Sequence, residues 1–436
     1  MASAVNHPRA ALHDLRSCWP GLRLSLLLIS MILSGGCQLA DMAQFTYANA
    51  TATHHWDGEA RTTSLAFELV DDHIVLPVRV NGSKPLNFVL DSGAAASLIL
   101  ESHNTRDLPL EPGAELPVSG VGDGDNPVAR VVADTELRFG AARVEGLSVI
   151  YLAQSSLPFF DNLDEVYFDG VIGAPIFKRF VVEIDYDRQL IHFSEPGTGP
   201  RSDAAWEELP LEIASGVPYI STQTTTAGGE TVPLKLLVDT GYRGPLSLTP
   251  STHGAIEPPS DTFSITGQGI SGDVHIEVAR TPLLLVGGFA LHDLPVSYAM
   301  AGGETDNSSN GILGSQVLQR FSIVFDYPGE RLLLKPSSKF SDPIRVDRSG
   351  LQLRLHRMGA VVKSVAPDSA AGQGELHTGD IITHFDDEAI SRVNISKLKH
   401  ALGSDRASLP VCWLSRKQAR CGELALASRF KRDGMD

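Results

Sequence analysis

The chain lacks a basic excess, a long apolar run and a supply of cysteine, and each lack closes off a class of function. Across 436 residues, 36 Lys and Arg face 52 Asp and Glu, a formal charge of −16. No basic stripe offsets this, which excludes a nucleic-acid partner. The apolar run Leu24–Leu33 is too short to span a bilayer. Metal and nucleophile signatures are missing as well. There is no helical His-Glu-x-x-His, no paired-cysteine ligand set and no Gly-x-Ser-x-Gly elbow. His54-His55 near Asp57 does not make a ligand set and reads as part of a flexible segment. No metal and no cofactor are expected. Long helical periodicities are also scarce, whereas 40 Gly and 26 Pro point to many turns and short strands. The length allows two or three domains.

At the N-terminus, Arg9, Arg16 and Arg23 precede the run Leu24–Leu33, and Ser34-Gly35-Gly36 leads to Cys37. This is the pattern of a targeting segment. It resembles the bacterial lipoprotein signal, which implies removal of residues 1–36 and lipidation of Cys37. Gln38, rather than Asp, follows the cysteine, so the resemblance implies an outer-membrane lipoprotein facing the periplasm of a bacterial envelope. Ordinary secretion and an uncleaved anchor are the alternatives. The membrane would then be met by a lipid anchor only, with residues 37–64 as a flexible tether. Export makes Cys412 and Cys421, which flank a hairpin tip, candidates for a disulfide; two free thiols are the alternative.

What is present is a repeat. "HIVLPVRVNGSKPLNFVLDSG" (His73 to Gly93) reads as two alternating strands joined at Asn81-Gly82, a hairpin signal, the second delivering Asp91. "PYISTQTTTAGGETVPLKLLVDTG" (Pro218 to Gly241) does the same and delivers Asp239, 148 positions later. Each aspartate is followed by a glycine-rich stretch, with Gly120 and Gly122 in the first and Gly267 and Gly269 in the second. Then "DGVIGAPIFKRFVVEIDYDRQLIHF" (Asp169 to Phe193) is matched by "NGILGSQVLQRFSIVFDYPGERLLLK" (Asn310 to Lys335). Four features in one order at nearly constant offset predict two similar β-lobes.

These motifs, "VLDSGA", "VIG", "LVDTG" and "ILG", resemble the retropepsin-like aspartic proteases over residues 65–340. The resemblance implies a mostly β, pseudo-twofold, double-lobed acid-protease barrel fold, with lobes at 65–200 and 201–340. It implies that Asp91 and Asp239 are catalytic and share one proton, because like charges in contact cannot both ionise. Such a pair supplies the base that activates water and the acid that protonates the carbonyl of a polypeptide substrate. Ser92 and Thr240 would lock the two loops together, and Gly93 and Gly241 would let the backbones approach. Gly120, Gly122, Gly267 and Gly269 are candidate flaps, plain hairpin turns being the alternative. Both lobes lie in one chain, so a monomer suffices. Asp185 and Asp326 sit at hairpin ends and read as turn caps. Two departures favour an inactive, peptide-binding pseudoprotease: Tyr242 would crowd the second loop, and Arg243 would ionise Asp239 too readily.

From Ser349 the pattern changes. Gly350-Leu351-Gln352-Leu353, the strand "AVVKSV", the turn "APDSAA", "GDII" and the helix "ISKLKHAL" resemble a PDZ domain, an α+β module, over 345–430. The resemblance implies that amides of Gly350 to Leu353 receive the carboxylate of a C-terminal peptide, which adds as a strand. Such a module would tether substrate or regulate activity, a structural brace being the alternative.

Overall fold

The computed structural model describes residues 39–157, 160–199, 205–300 and 309–430. The segment expected as a signal, 1–36, and the lipidation candidate Cys37 lie outside the described residues. The chain divides into two compact units, Met1–Tyr47 and Ala48–Asp436. In the first unit residues 39–47 are helical.

The second unit is mostly β. Its first half closes a barrel in which six strands follow one another round a ring: His73–Val80, Leu86–Leu90, Gly170–Ile172, Leu98–Leu100, Ala142–Leu152, Val128–Phe139 and back to His73–Val80. Alternation explains the outer strands; His73–Val80 buries Ile74, Leu76, Val78 and Val80 on the core side. Its turn uses Asn81 and Gly82, both at positive φ (48° and 75°), the conformation that two-residue hairpins demand. Leu86–Leu90, by contrast, is apolar nearly throughout because it is central. It pairs antiparallel with His73–Val80 and parallel with Gly170–Ile172.

The second half closes its own ring from Val217–Thr225, Thr231–Asp239, Gly311–Gly314, Leu246–Leu248, Phe289–Ala299 and Gly272–Val286. Parallel and antiparallel pairings occur in the same order as in the first ring. The halves also share a six-stranded sheet: Val181–Asp185 pairs with Phe321–Asp326, Val182 standing opposite Phe325. One apolar cluster therefore runs from Phe88 and Leu90 through Phe177, Phe180 and Tyr327 to Leu236 and Val238. Asp185 and Asp326 each accept the turn amide three residues on, at 3.0 Å.

The expectation of a flexible tether over 37–64 is corrected. Thr53–Trp56 pairs with Ala142–Leu152, and Thr62–Ala66 is the outer strand of the shared sheet. Trp56 packs edge-on against Phe180, and the His54 and Trp56 rings both bond the Glu195 carboxylate. A polar, His-rich run is thereby held to the barrel.

Beyond residue 348, Leu351–His356, Gly359–Val365, Ile381–Phe385, Ser408–Ser415 and Gln418–Ala425 form a further sheet. Cys412 faces Cys421 in register and the two are joined by a disulfide. The helix Ile395–Leu402 buries Ile395, Leu398 and Leu402, one stripe at helical spacing. This C-terminal domain does not stand apart. Val70, Val75, Val89 and Val171 of the first half share an apolar cluster with its Leu351, Leu355 and Leu398.

Candidate active site

Asp91 follows strand Leu86–Leu90 and Asp239 ends strand Thr231–Asp239, so each barrel delivers one carboxylate from a central strand. The two loops are locked reciprocally. Ser92 N–H donates to Thr240 Oγ1 and Thr240 N–H donates to Ser92 Oγ, both at 3.0 Å. Each hydroxyl passes its own proton to the other strand: Ser92 Oγ to Val238 O (2.7 Å) and Thr240 Oγ1 to Leu90 O (2.8 Å). Both residues are fully buried, so all four groups depend on these partners.

The lock brings the aspartates together. Each loop's glycine faces the opposite carboxylate. A Cβ at Gly93 would stand 2.5 Å from Asp239 Cγ, and one at Gly241 2.4 Å from Asp91 Cγ. Only glycine permits that approach. The two carboxyls hydrogen-bond one another. Burial, then the charge of Asp239, then that bond raise Asp91 well above the ordinary carboxylate range. Burial raises Asp239 too, but the amides of Gly241 and the bond from Asp91 oppose it. Gly241 N–H and Tyr242 N–H both donate to Asp239 Oδ1, at 2.7 and 3.1 Å. Both carboxyls are thus raised, and groups this close titrate as a pair rather than singly.

The two departures from pattern are absorbed. Tyr242 does not crowd the pair. Its ring lies against Gly244 and Gly314, where a Cβ would come within 2.5 Å and 2.4 Å of it, and its hydroxyl bonds those of Ser247 and Ser297. Arg243 does not address Asp239; it forms an ion pair with the buried Asp71 on the turn before His73–Val80. Lys399, from the C-terminal helix, pairs with the same carboxylate. Burial alone would raise Asp71, but Arg243 and Lys399 hold it far below its usual range.

Several residues around the pair left no sequence signal. His73 Nε2 bonds Gly241 O at 2.9 Å and its Nδ1 meets the Tyr167 hydroxyl at 2.5 Å. Burial, then Arg243, lower His73 from 6.5 to about 4, so the ring is neutral and Nε2 is the donor. Tyr327 donates to Ser92 O at 3.3 Å. Ser315 Oγ donates to Asp72 O at 2.8 Å, tying the first half's turn to the second half.

The glycine-rich stretches cross at their tips. Gly124 N–H donates to Ser271 O (2.7 Å), Ser271 N–H to Val121 O (3.1 Å) and Asp123 N–H to Asp273 O (3.0 Å). Gly267 and Gly269 end a strand, Phe263–Gly269, that forms a true hairpin with Gly272–Val286. Gly120 and Gly122 sit in a loop without strand pairing, Gly120 pressed against Ile270.

The loop Gly350 to Leu353 differs from expectation. Gly350 N–H donates to Asp347 Oδ1 (2.7 Å) and Leu351 N–H to Ser349 Oγ (3.1 Å), so two amides expected to take a peptide carboxylate are satisfied from within. Asp347, three residues ahead, makes the turn that uses them. The Gln352 side-chain amide donates to Thr266 O, and a register shift separates Gln352 from Leu353. The turn Leu163–Glu165 of the first half lies against Leu351–His356, with Arg357 N–H donating to Asp164 O at 2.9 Å.

The aspartyl protease family model matches residues 76–176, a span that takes in Asp91, Ser92, Gly93 and strand Gly170–Ile172. No curated protein matches the chain. The match supports a peptidase, and residues 76–176 are an aspartyl protease-like domain.

Proposed function

We propose that the chain is an aspartic endopeptidase of retropepsin-like build, with two pseudo-twofold lobes in one chain and a C-terminal PDZ-type domain. One observation carries the reading: two buried carboxyls from matching strands, hydrogen-bonded to one another, each faced by the opposite loop's glycine. In such a pair Asp239 takes a proton from a water held between the carboxyls, while protonated Asp91 gives its own to the carbonyl oxygen of the scissile peptide. The resulting gem-diol then collapses: the C–N bond breaks, the proton gained by Asp239 passes to the departing amine, and a diol hydroxyl returns a proton to Asp91, which restores the pair. Joined flap tips would exclude bulk water during this step. Extended polypeptide is the substrate class, and no cofactor enters the scheme. The alternative, a silent peptide-binding protein, drew on Tyr242 and Arg243; the Tyr242 ring lies against Gly244 and Gly314, and Arg243 pairs with Asp71.

The N-terminal pattern supports an envelope lipoprotein anchored through Cys37 and facing the periplasm. The test of the enzymatic reading is cleavage of an unfolded polypeptide by the wild type, Asp91→Asn and Asp239→Asn across acid and neutral pH. Cleavage by the wild type alone supports it; equal background from all three favours the silent binder.

A further inference from the structure

We propose that the C-terminal domain is the gate of this cleft: a surface carrying Gln352, Arg354 and Arg429 docks on the free edge of flap strand Phe263–Gly269 and holds that flap shut. The proposal rests on the endopeptidase reading, since it concerns how substrate reaches the same site. Phe263–Gly269 is the last strand of its sheet, so its outward carbonyls have no strand to pair with. Side chains of the C-terminal domain take that place. Gln352 Nε2 donates to Thr266 O at 2.7 Å, and Arg429 donates to Ser264 O at 3.4 Å. Residues 264 and 266 are two apart, so their carbonyls point the same way. Arg354 adds a bond to Gln268 Oε1 at 2.8 Å. The Arg429 guanidinium lies 3.9 Å above the Phe263 ring, and Phe430 packs on that ring at 5.2 Å.

The domain's other side is anchored on the first half. Lys399 pairs with Asp71, Arg392 pairs with Glu68 at 2.8 Å, and the valine cluster around Val75 and Val89 packs beneath. One body thus spans from the first barrel to the second flap. The flap tips are bonded to each other, so an extended chain enters only if a flap lifts. Lifting this flap breaks every contact to the C-terminal domain or takes the domain with it. Beyond the stacking on Phe263, the domain's grip is made of polar side-chain bonds at the strand's outer edge, which suits a contact that opens and closes.

The experiment uses the full chain in an Asp91→Asn background, where cleavage cannot interfere. Gln352→Ala with Arg429→Ala opens the grip from the domain's side; Gln268→Ala, at an exposed flap position, opens it from the other. Amide exchange across residues 263–274 should quicken by about tenfold, the order expected for losing net hydrogen bonds, while the barrel strands keep their protection. The association rate of a fluorescently labelled unfolded polypeptide should rise by a similar factor. Unchanged exchange in both variants overturns the gate, as does faster exchange with an unchanged or slower association rate. Neither readout needs catalysis. A wild type that never cleaves would sink the endopeptidase reading while leaving the gate decided by these two measurements.

Discussion

Ser92 and Thr240 exchange backbone and hydroxyl hydrogen bonds across the boundary between the two halves, each loop supplying what the other lacks. Thr240→Val keeps the shape but removes the acceptor for Ser92 N–H and the donor to Leu90 O, leaving two buried groups unpaired. The expected cost is about 2–4 kcal/mol. Thr240→Ser keeps the hydroxyl and should cost well under half of that. Urea unfolding of the two variants checks it; equal midpoints would remove the lock from the account.

The carboxyl pair gives a prediction in rate and another in stability. Asp91→Asn and Asp239→Asn should each cut cleavage by roughly 100- to 10,000-fold, the range for losing a positioned acid or base. Burial and the neighbouring charge raise Asp91 above its ordinary 3.8. A raised acid stabilises the fold fully below that unfolded value, and the contribution is lost as pH rises through the folded one. Asp91→Asn has no such loss. The variant should therefore gain on the wild type in urea midpoint as pH rises above about 4; a constant difference would contradict the raised carboxyl.

Strands that alternate, the Asn81-Gly82 turn and the twice-delivered aspartate were legible because each is a local pattern that recurs. The shared sheet was not. Val181–Asp185 and Phe321–Asp326 are mostly apolar, which says buried without naming a partner. The Asp71–Arg243–Lys399 cluster draws one residue from each of three distant segments, and ion pairs of that kind leave no spacing to read. Arg243 was legible as a charge beside Asp239, but its neutralisation by Asp71 was not. Amides at Gly350 and Leu351 looked open because Asp347 and Ser349, the residues that occupy them, read as ordinary polar loop.

Tyr242 and Gly244 make a pair whose tolerance depends on size. A Cβ at residue 244 would meet Cε1, Cζ and Oη of Tyr242 at 2.5–2.9 Å, all atoms of one side chain. Gly244→Ala alone should cost about 1–3 kcal/mol through overpacking. Tyr242→Ala alone opens a cavity beneath the loop. Combined, the two should cost less than their sum by about 1 kcal/mol or more, since the clash disappears with the ring. Thermal or urea denaturation of the four-member cycle measures the coupling. Additive costs would mean that residue 244 is glycine for another reason.

His73 couples the first barrel to the loop that follows Asp239, and pH exposes the link. Asp71, Arg243, Lys399 and the Tyr167 hydroxyl surround the ring, and Nε2 bonds Gly241 O. That bond steadies the peptide whose next amide, Tyr242 N–H, donates to Asp239 Oδ1. Burial and Arg243 lower His73 from 6.5 to about 4. A group lowered on folding contributes stability that is present above its unfolded value and lost as pH falls through the folded one. Between 6.5 and about 4 the unfolded chain takes up a proton that the folded chain refuses, costing up to about 3 kcal/mol. Asp71, held below its usual 3.8, sheds its own contribution only at lower pH, so the two losses separate. His73→Gln keeps a donor for Gly241 O but cannot titrate, so the wild type should lose stability relative to it as pH falls from about 6.5 to about 4. In cleavage, His73→Ala should lower kcat with KM nearly unchanged, and His73→Gln should restore most of it, because Asp239 is positioned through the peptide rather than through substrate. Parallel stability slopes for wild type and His73→Gln, or equal kcat for the Ala and Gln variants, would show that the ring only fills space.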